Sequence, residues 1–168
     1  PSEEPVDSRI IYVDSDTGGL DDGTSWANAF QSLEQAVETA GEGAEIWVAQ
    51  GVYKPEAYAG CSGNERCKAF QLKNGVALYG GVEGDETALG QRDWGSNTTT
   101  LSGDIGTEVD VSDNSYHVVR SSGAAASTIL DGFTISGGNA EGPSSGGNAE
   151  RISGGGMFNN NSSPTVKN

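Results

Sequence analysis

Two short stretches near the end of the chain decide the fold prediction: Thr128-Ile-Leu-Asp-Gly-Phe-Thr-Ile-Ser-Gly-Gly-Asn-Ala140 and Ser153-Gly-Gly-Gly-Met-Phe-Asn-Asn-Asn-Ser-Ser-Pro-Thr-Val-Lys-Asn168. In both, brief apolar alternations that are too short for a helix are separated by clusters of Gly, Asn and Ser. Very short strands with corners that tolerate left-handed backbone angles are what the coils of a parallel β-helix need. The pattern therefore predicts an all-β solenoid of this type.

Composition agrees with a turn-rich domain and limits the partners. The chain has 168 residues, of which 26 are Gly and only 34% are hydrophobic, which favours one all-β domain. The formal net charge of −15 would repel phosphate backbones, so we expect no nucleic acid partner. Because no apolar run approaches the length of a membrane span, we expect no membrane insertion.

The domain organisation follows from one helical pattern placed early in the chain. Residues 26–40 carry Phe30, Leu33, Val37 and Ala40 on one face, and this predicts an amphipathic helix that covers the apolar end of the first coil. We predict a flexible segment over 1–9 and a single domain over 10–168. That domain comprises a cap region with the helix (10–53), a cysteine loop (54–68) and the coils (69–168). Predicted strands lie at 10–13, 45–49, 69–72, 76–79, 116–120, 128–130 and 133–135, and around residues 100, 157 and 165.

The two cysteines lie in one polar loop, Cys61-Ser-Gly-Asn-Glu-Arg-Cys67. Their spacing, and the absence of a nearby His or second Cys pair, predicts a local disulfide rather than a zinc site. A disulfide indicates an oxidising compartment, so we expect an extracellular or cell-surface location.

Several motifs carry a family resemblance. Asp22-Gly-Thr-Ser-Trp-Ala-Asn28, Ile46-Trp-Val-Ala-Gln-Gly-Val-Tyr53, Phe70-Gln-Leu-Lys-Asn-Gly-Val-Ala-Leu-Tyr-Gly-Gly81 and Asp131-Gly-Phe-Thr-Ile135 are among them. Together they resemble the N-terminal region of bacterial secreted right-handed parallel β-helix surface proteins, which are similar to polymorphic outer-membrane proteins. The wider fold group includes pectate lyases. The resemblance implies a right-handed parallel β-helix but does not specify an activity.

Two acidic groups are candidate calcium sites, because calcium needs several oxygens that converge from a bent loop. The first comprises Asp14, Asp16, the carbonyl of Leu20, and Asp22; the second, a weaker candidate, comprises Asp104, Asp110 and Asp113. The alternative for the first is an Asx-turn loop whose carboxylates cap the following helix. The alternative for the second is a loop of solvated turn residues.

Three functions remain open at this point. The leading hypothesis is an extracellular, non-catalytic structural or adhesive module. The alternatives are a carbohydrate-active enzyme of the pectate lyase type and a calcium-dependent polysaccharide-binding module, for which Tyr53, Tyr58 and Trp94 are candidate ligand contacts. A lyase would need Lys or Arg beside bound calcium. No Lys or Arg stands beside an acidic cluster in a recognisable motif, so no catalytic residue is assigned.

The end of the pattern suggests self-association. If a solenoid stops in mid-coil, its last strands present unpaired backbone groups, and such an edge templates addition of another strand. We therefore expect Met157, Phe158 and Val166 to be exposed there and to support head-to-tail assembly into a fibre.

Overall fold

The computed structural model describes residues 9–142 and 149–168. Residues 1–8 of the predicted flexible segment lie outside the described residues. The described part contains one α-helix, α1 (Leu33–Thr39), four short 3-10 turns and eleven strands. The strands are β1 (Ile10–Val13), β2 (Glu45–Ala49), β3 (Gly51–Tyr53), β4 (Phe70–Leu72), β5 (Ala77–Val82), β6 (Thr99–Ser102), β7 (Val119–Ser122), β8 (Ile129–Asp131), β9 (Phe133–Ser136), β10 (Met157–Asn160) and β11 (Thr165–Lys167).

The strands form three small sheets in which every pairing is parallel. One sheet has five strands in the order β1-β2-β5-β8-β11. The other two have three strands each, in the orders β10-β7-β4 and β3-β6-β9. Consequently β9, β10 and β11 are each the last strand of their sheet.

The prediction of an all-β, right-handed parallel β-helix, and with it the description of the chain as a β-solenoid, is wrong. The structure is an α/β-type fold, with parallel strands in three small sheets and a single α-helix in the described part. The physical reason lies in α1, which we expected to be only a lid. Its Leu33 and Ala36 are fully buried and belong to the same apolar cluster as the strand residues, so the helix shares the core.

The core is built from residues that occupy equivalent register positions on neighbouring strands. Each sheet contributes one inward-facing column of apolar side chains, because alternate residues of a strand face the same side. The columns are Ile11, Ile46, Leu78, Leu130 and Val166; Phe70, Val119 and Met157; and Tyr53, Leu101 and Ile135.

The helix predicted over 26–40 is interrupted. A 3-10 turn covers Trp26–Asn28, and α1 begins only at Leu33, where the Ser32 hydroxyl accepts a hydrogen bond from the Gln35 N–H. The break has a clear cause, because Phe30 lies beside β1. The Phe30 N–H donates to the Tyr12 carbonyl at 2.9 Å, and the Asp14 N–H donates to the Phe30 carbonyl at 2.9 Å. The helical ladder therefore cannot include Phe30.

The predicted strands do not include β3, which follows β2 after a single residue. Gly51 begins β3 with a φ of 147°, a backbone angle that side-chain-bearing residues rarely adopt. It marks the corner between two strands that belong to different sheets. In the described part of the chain, no helix is long and apolar enough to span a bilayer.

Candidate functional site

The cysteine loop forms one wall of the candidate site. Cys61 and Cys67 form a disulfide with Cα atoms 5.4 Å apart, which confirms the predicted pair. Next to it, residues 57–59 run antiparallel to residues 67–69. The Ala59 N–H donates to the Cys67 carbonyl at 3.0 Å, and the Ala69 N–H donates to the Ala57 carbonyl at 3.1 Å. The disulfide therefore fixes a small hairpin that leads directly into β4.

Tyr58 projects from this hairpin and is held in place by a polar network. Its hydroxyl donates to Glu65 Oε1 at 2.5 Å, and Lys68 Nζ lies 2.6 Å from Glu65 Oε2. The hydrogen bond from Lys68, followed by that from Tyr58, lowers the pKa of Glu65. The hydrogen bond to Glu65 raises the pKa of Tyr58. Tyr58 is 49% exposed, and its role as a ligand contact stays a prediction.

A groove of about 400 Å³ lies between α1, β4 and the hairpin. Its walls are mainly apolar and include one face of the helix and the strand opposite. The lining residues are Leu33, Glu34, Val37, Glu38, Ala57, Tyr58, Ala69, Phe70, Gln71, Leu72, Lys73 and Leu78. Because α1 has only seven residues, it leaves the core beside β4 partly open.

The charged groups at the rim of the groove are not equivalent. Lys73 Nζ binds carbonyl oxygens of Glu38 and Ala40 at the C-terminal end of α1, where a cation is favourable. The Glu34 carboxylate accepts the Glu56 N–H at 2.8 Å and faces the groove from α1, as Glu38 does. The positive charge is therefore engaged with the helix end, whereas the carboxylates give the rim a negative character.

The first acidic group forms the Asx turns of its alternative interpretation, but the cap of α1 is Ser32 and not one of these carboxylates. Asp14 Oδ1 accepts the Asp16 N–H at 2.9 Å, and Asp22 Oδ1 accepts the Thr24 N–H and hydroxyl at 3.0 and 2.7 Å. The bond from the Thr24 hydroxyl is the main cause of a lowered Asp22 pKa. The Leu20 N–H donates to the side chain of Asn28. These contacts are Asx turns and links within the loop. Among residues 9–142 and 149–168, no three His, Cys, Asp or Glu side chains form a metal-binding group.

The second acidic group is divided by its hydrogen bonds. Asp110 Oδ1 accepts the Ser112 N–H and hydroxyl at 2.9 and 2.6 Å. By contrast, Asp104 Oδ1 and Asp113 Oδ1 are buried and have no hydrogen-bond partner. Sequence reasoning treated the three residues alike, because hydrogen bonding within a loop cannot be seen in the residue types.

The other two candidate ligand contacts differ in exposure. Tyr53 is only 4% exposed, and its hydroxyl donates to the Ala49 carbonyl at 3.1 Å, so its ring is closed to a ligand. The reason is its register position in β3, which faces the core. Trp94 is 47% exposed and lies against the Arg92 guanidinium, 5.5 Å from ring centroid to Cζ.

Arg92 fastens the loop that carries Trp94. Its Nη2 lies 3.3 Å from Asp131 Oδ2, with both side chains less than one tenth exposed, and its guanidinium stacks over the Tyr79 ring at 4.9 Å. Arg66 has a similar role that sequence reasoning missed. It donates to the carbonyls of Asn114 and Asn139, each at 2.7 Å, and stacks on a tyrosine ring. No sequence signal distinguishes these arginines from solvated ones.

The residues predicted to support assembly lie on different faces. Val166 is 55% exposed and lines a hollow of about 280 Å³ with Leu130, Phe133 and Ile135 at the end formed by the last strands. Met157 packs against the core. Phe158 points the other way, where its ring stacks with His117 at 4.9 Å. Met157 and Phe158 are both half-buried, and their role in assembly stays a prediction.

No family model, curated protein or solved structure matches this chain. The resemblance to secreted surface proteins therefore stays a prediction that rests on the sequence motifs.

Proposed function

We propose that this chain is an extracellular, non-catalytic adhesive module that binds an extended polypeptide segment in the groove between α1 and β4. One observation carries the proposal: the apolar groove runs along an edge strand. Its volume of about 400 Å³ lies in the range of ligand-binding clefts. The disulfide supports the extracellular location, since such bonds persist in oxidising compartments.

The edge of β4 supports strand addition. The Phe70 N–H donates to the Val118 carbonyl at 2.8 Å, so Phe70 bonds toward β7. Because backbone groups alternate along a strand, the N–H and C=O of Gln71 point to the other side, as those of Ala69 do. The segment that pairs with Ala69 does not continue along β4, because the Glu56 N–H donates to the Glu34 carboxylate instead. Gln71 therefore offers the next pair of backbone groups to an incoming strand.

Charge supports a particular composition of that strand. An added strand would place alternate side chains over the apolar lining, with Leu33, Val37 and Phe70 beneath them. The remaining side chains would lie near Glu34 and Glu38, on a chain whose net charge is −15. Basic residues alternating with apolar ones meet both conditions.

The test uses the peptide acetyl-Val-Lys-Val-Lys-Val-amide, measured by isothermal titration calorimetry. We expect Gln71→Pro to weaken binding about tenfold, since proline removes the N–H on the open edge. Gln71→Ala, which keeps that N–H, should bind like the wild type. Glu38→Lys should weaken binding about fivefold, and the same change at exposed Glu108, far along the chain from the groove residues, should not.

Three results would contradict the proposal. They are equal binding by the Gln71→Pro variant, equal binding of a Val-Glu-Val-Glu-Val peptide, and equal binding after Ala57→Trp, which should fill the groove. Ala57 is exposed and lines the groove, so this change leaves the core intact. Glycan arrays provide a further comparison, because a glycan signal that a chelator abolishes would favour the calcium-dependent polysaccharide-binding module instead.

Self-association is the second candidate, and the hollow at Val166 favours it. Val166 lies beside Leu130 in the register of β8 and β11, and both line this apolar hollow, which offers a surface to a second copy. The outer edge of β1 is partly occupied, because the Tyr12 N–H donates to the Gly23 carbonyl and the Tyr12 carbonyl accepts the Phe30 N–H. Sedimentation velocity tests the idea: Val166→Asp should dissociate the assembly, whereas Val111→Asp, at a 64% exposed loop position, should not. A wild type that is monomeric at high concentration would refute it.

A further inference from the structure

The loop of residues 103–115 contains an unusual set of buried oxygens. Four side-chain oxygens in it are inaccessible to solvent and have no hydrogen-bond partner: Asp104 Oδ1, Asp113 Oδ1, Asn114 Oδ1 and Ser115 Oγ. The Asn114 side chain belongs to a residue that is 5% exposed, and Ser115 is fully buried.

The backbone closes the loop that carries these oxygens. The Ser115 N–H donates to the Gly103 carbonyl at 2.8 Å, so Asp104 and Asn114 are each one residue away from this contact. Asp113 folds over Gly106, where a β-carbon would lie 2.3 Å from the carboxyl carbon. Its other oxygen accepts the Thr107 N–H at 2.7 Å, which fixes the carboxylate. Gly106 is therefore needed to let the carboxylate approach the backbone.

A buried carboxylate oxygen without a donor is costly, because it loses hydration and gains nothing in return. A hard divalent cation removes this cost, and calcium takes six to eight oxygens from carboxylates, carbonyls and water. The loop supplies two carboxylates, one amide and one hydroxyl, which is a calcium-type donor set.

We propose that calcium binds in the 103–115 loop through Asp104, Asp113 and Asn114, with Ser115 beside them. Asp110, which the sequence placed in this group, is not included, because its Oδ1 is bonded to Ser112 and it has no buried oxygen without a hydrogen-bond partner. The 14–22 loop ranks behind this site for the same reason, since neither Asp14 nor Asp22 has such an oxygen. The proposal is independent of the groove and of its ligand.

The experiment is calorimetric titration of chelator-treated protein with calcium chloride, together with thermal unfolding. We expect one site in the wild type, a loss of affinity of tenfold or more in Asp104→Asn and in Asp113→Asn, and wild-type affinity in the matched control Asp110→Asn. Asp16→Ala reports on the other loop and should also bind like the wild type. Wild-type binding by Asp104→Asn, or a loss of binding in Asp110→Asn or Asp16→Ala, would overturn the proposal.

A second measurement separates a ligand from a merely structural residue. With chelator, Asp104→Asn should melt at or above the wild-type temperature, because the change removes the charge from a side chain whose buried Oδ1 has no hydrogen-bond partner. With saturating calcium, the order should reverse, because only the wild type gains from the ion. If Asp104→Asn melts below the wild type by the same amount in both conditions, Asp104 is structural and the site is refuted. No calcium heat and no calcium-dependent melting in the wild type would refute it equally.

Discussion

Burial of Tyr53 should make the protein lose stability at alkaline pH. The ring is 4% exposed, and burial above all, with the carboxylates of Asp14 and Asp16 adding to it, raises the pKa of Tyr53 from 10.0 to about 12. Below pH 10 both the folded and the unfolded state keep the phenol proton. Between pH 10 and 12 the unfolded state releases it while the folded state holds it, so the free energy of unfolding falls as the pH rises.

The size of the alkaline loss of stability follows from the rise in the pKa of Tyr53. A difference of about two pKa values corresponds to about 3 kcal/mol once both states are ionised, and to about 1.4 kcal/mol at about pH 11. The assay is urea unfolding at about pH 9 and about pH 11, on the wild type and Tyr53→Phe. The variant loses the hydrogen bond to Ala49 at both pH values but lacks the ionisable group, so its alkaline loss should be smaller by that amount.

Comparison with the variant cancels the lysines and the other tyrosines, which titrate in both proteins. If the wild type and Tyr53→Phe lose the same stability between the two pH values, the phenol ionises freely in the folded state. In that case Tyr53 would be accessible, and the sequence prediction of a ligand contact would regain its basis.

Three further outcomes test the features that hold the molecule together. Replacing Cys61 and Cys67 by Ser should lower the free energy of unfolding by about 2 kcal/mol in urea, because the closed loop is short; an unchanged midpoint would contradict this. Arg92→Met should lower the free energy of unfolding by about 3 kcal/mol, because it leaves the buried Asp131 without its ion-pair partner. Adding Asp131→Leu should recover part of that loss, and equal losses in the single and double variants would show that the pair is not coupled. Leu130→Ala should cost about 3 kcal/mol by calorimetry, whereas the same truncation at exposed Leu20 should cost little.

Local patterns in the sequence located most elements but not their arrangement. Strands such as Ile10–Val13 and Glu45–Ala49 have the predicted bounds, because alternation and β-branched content mark them. The helical pattern could not show that Phe30 bonds to β1, since that contact depends on tertiary structure. The predicted fold class was wrong for a related reason. Leu33 and Ala36 are buried beside the strands, and residue spacing alone does not reveal that packing.

The candidate sites also divide into those that residue types indicate and those that depend on the fold. The disulfide could be predicted because two cysteines in one polar loop have few other partners. The groove could not, because it exists only where a seven-residue helix meets the edge of β4. The acidic groups were visible as residue types, but whether a carboxylate is already bonded, as in Asp110, or left without a donor, as in Asp104, depends on loop conformation.

Cys67 belongs at once to the disulfide and to the backbone ladder that ends beside β4. Reduction of that bond would loosen the hairpin that carries Tyr58, and with it one wall of the groove. If the groove holds a peptide as proposed, reduction should therefore weaken that binding. Under that proposal, one covalent bond makes recognition depend on the redox state of the compartment in which the chain folds.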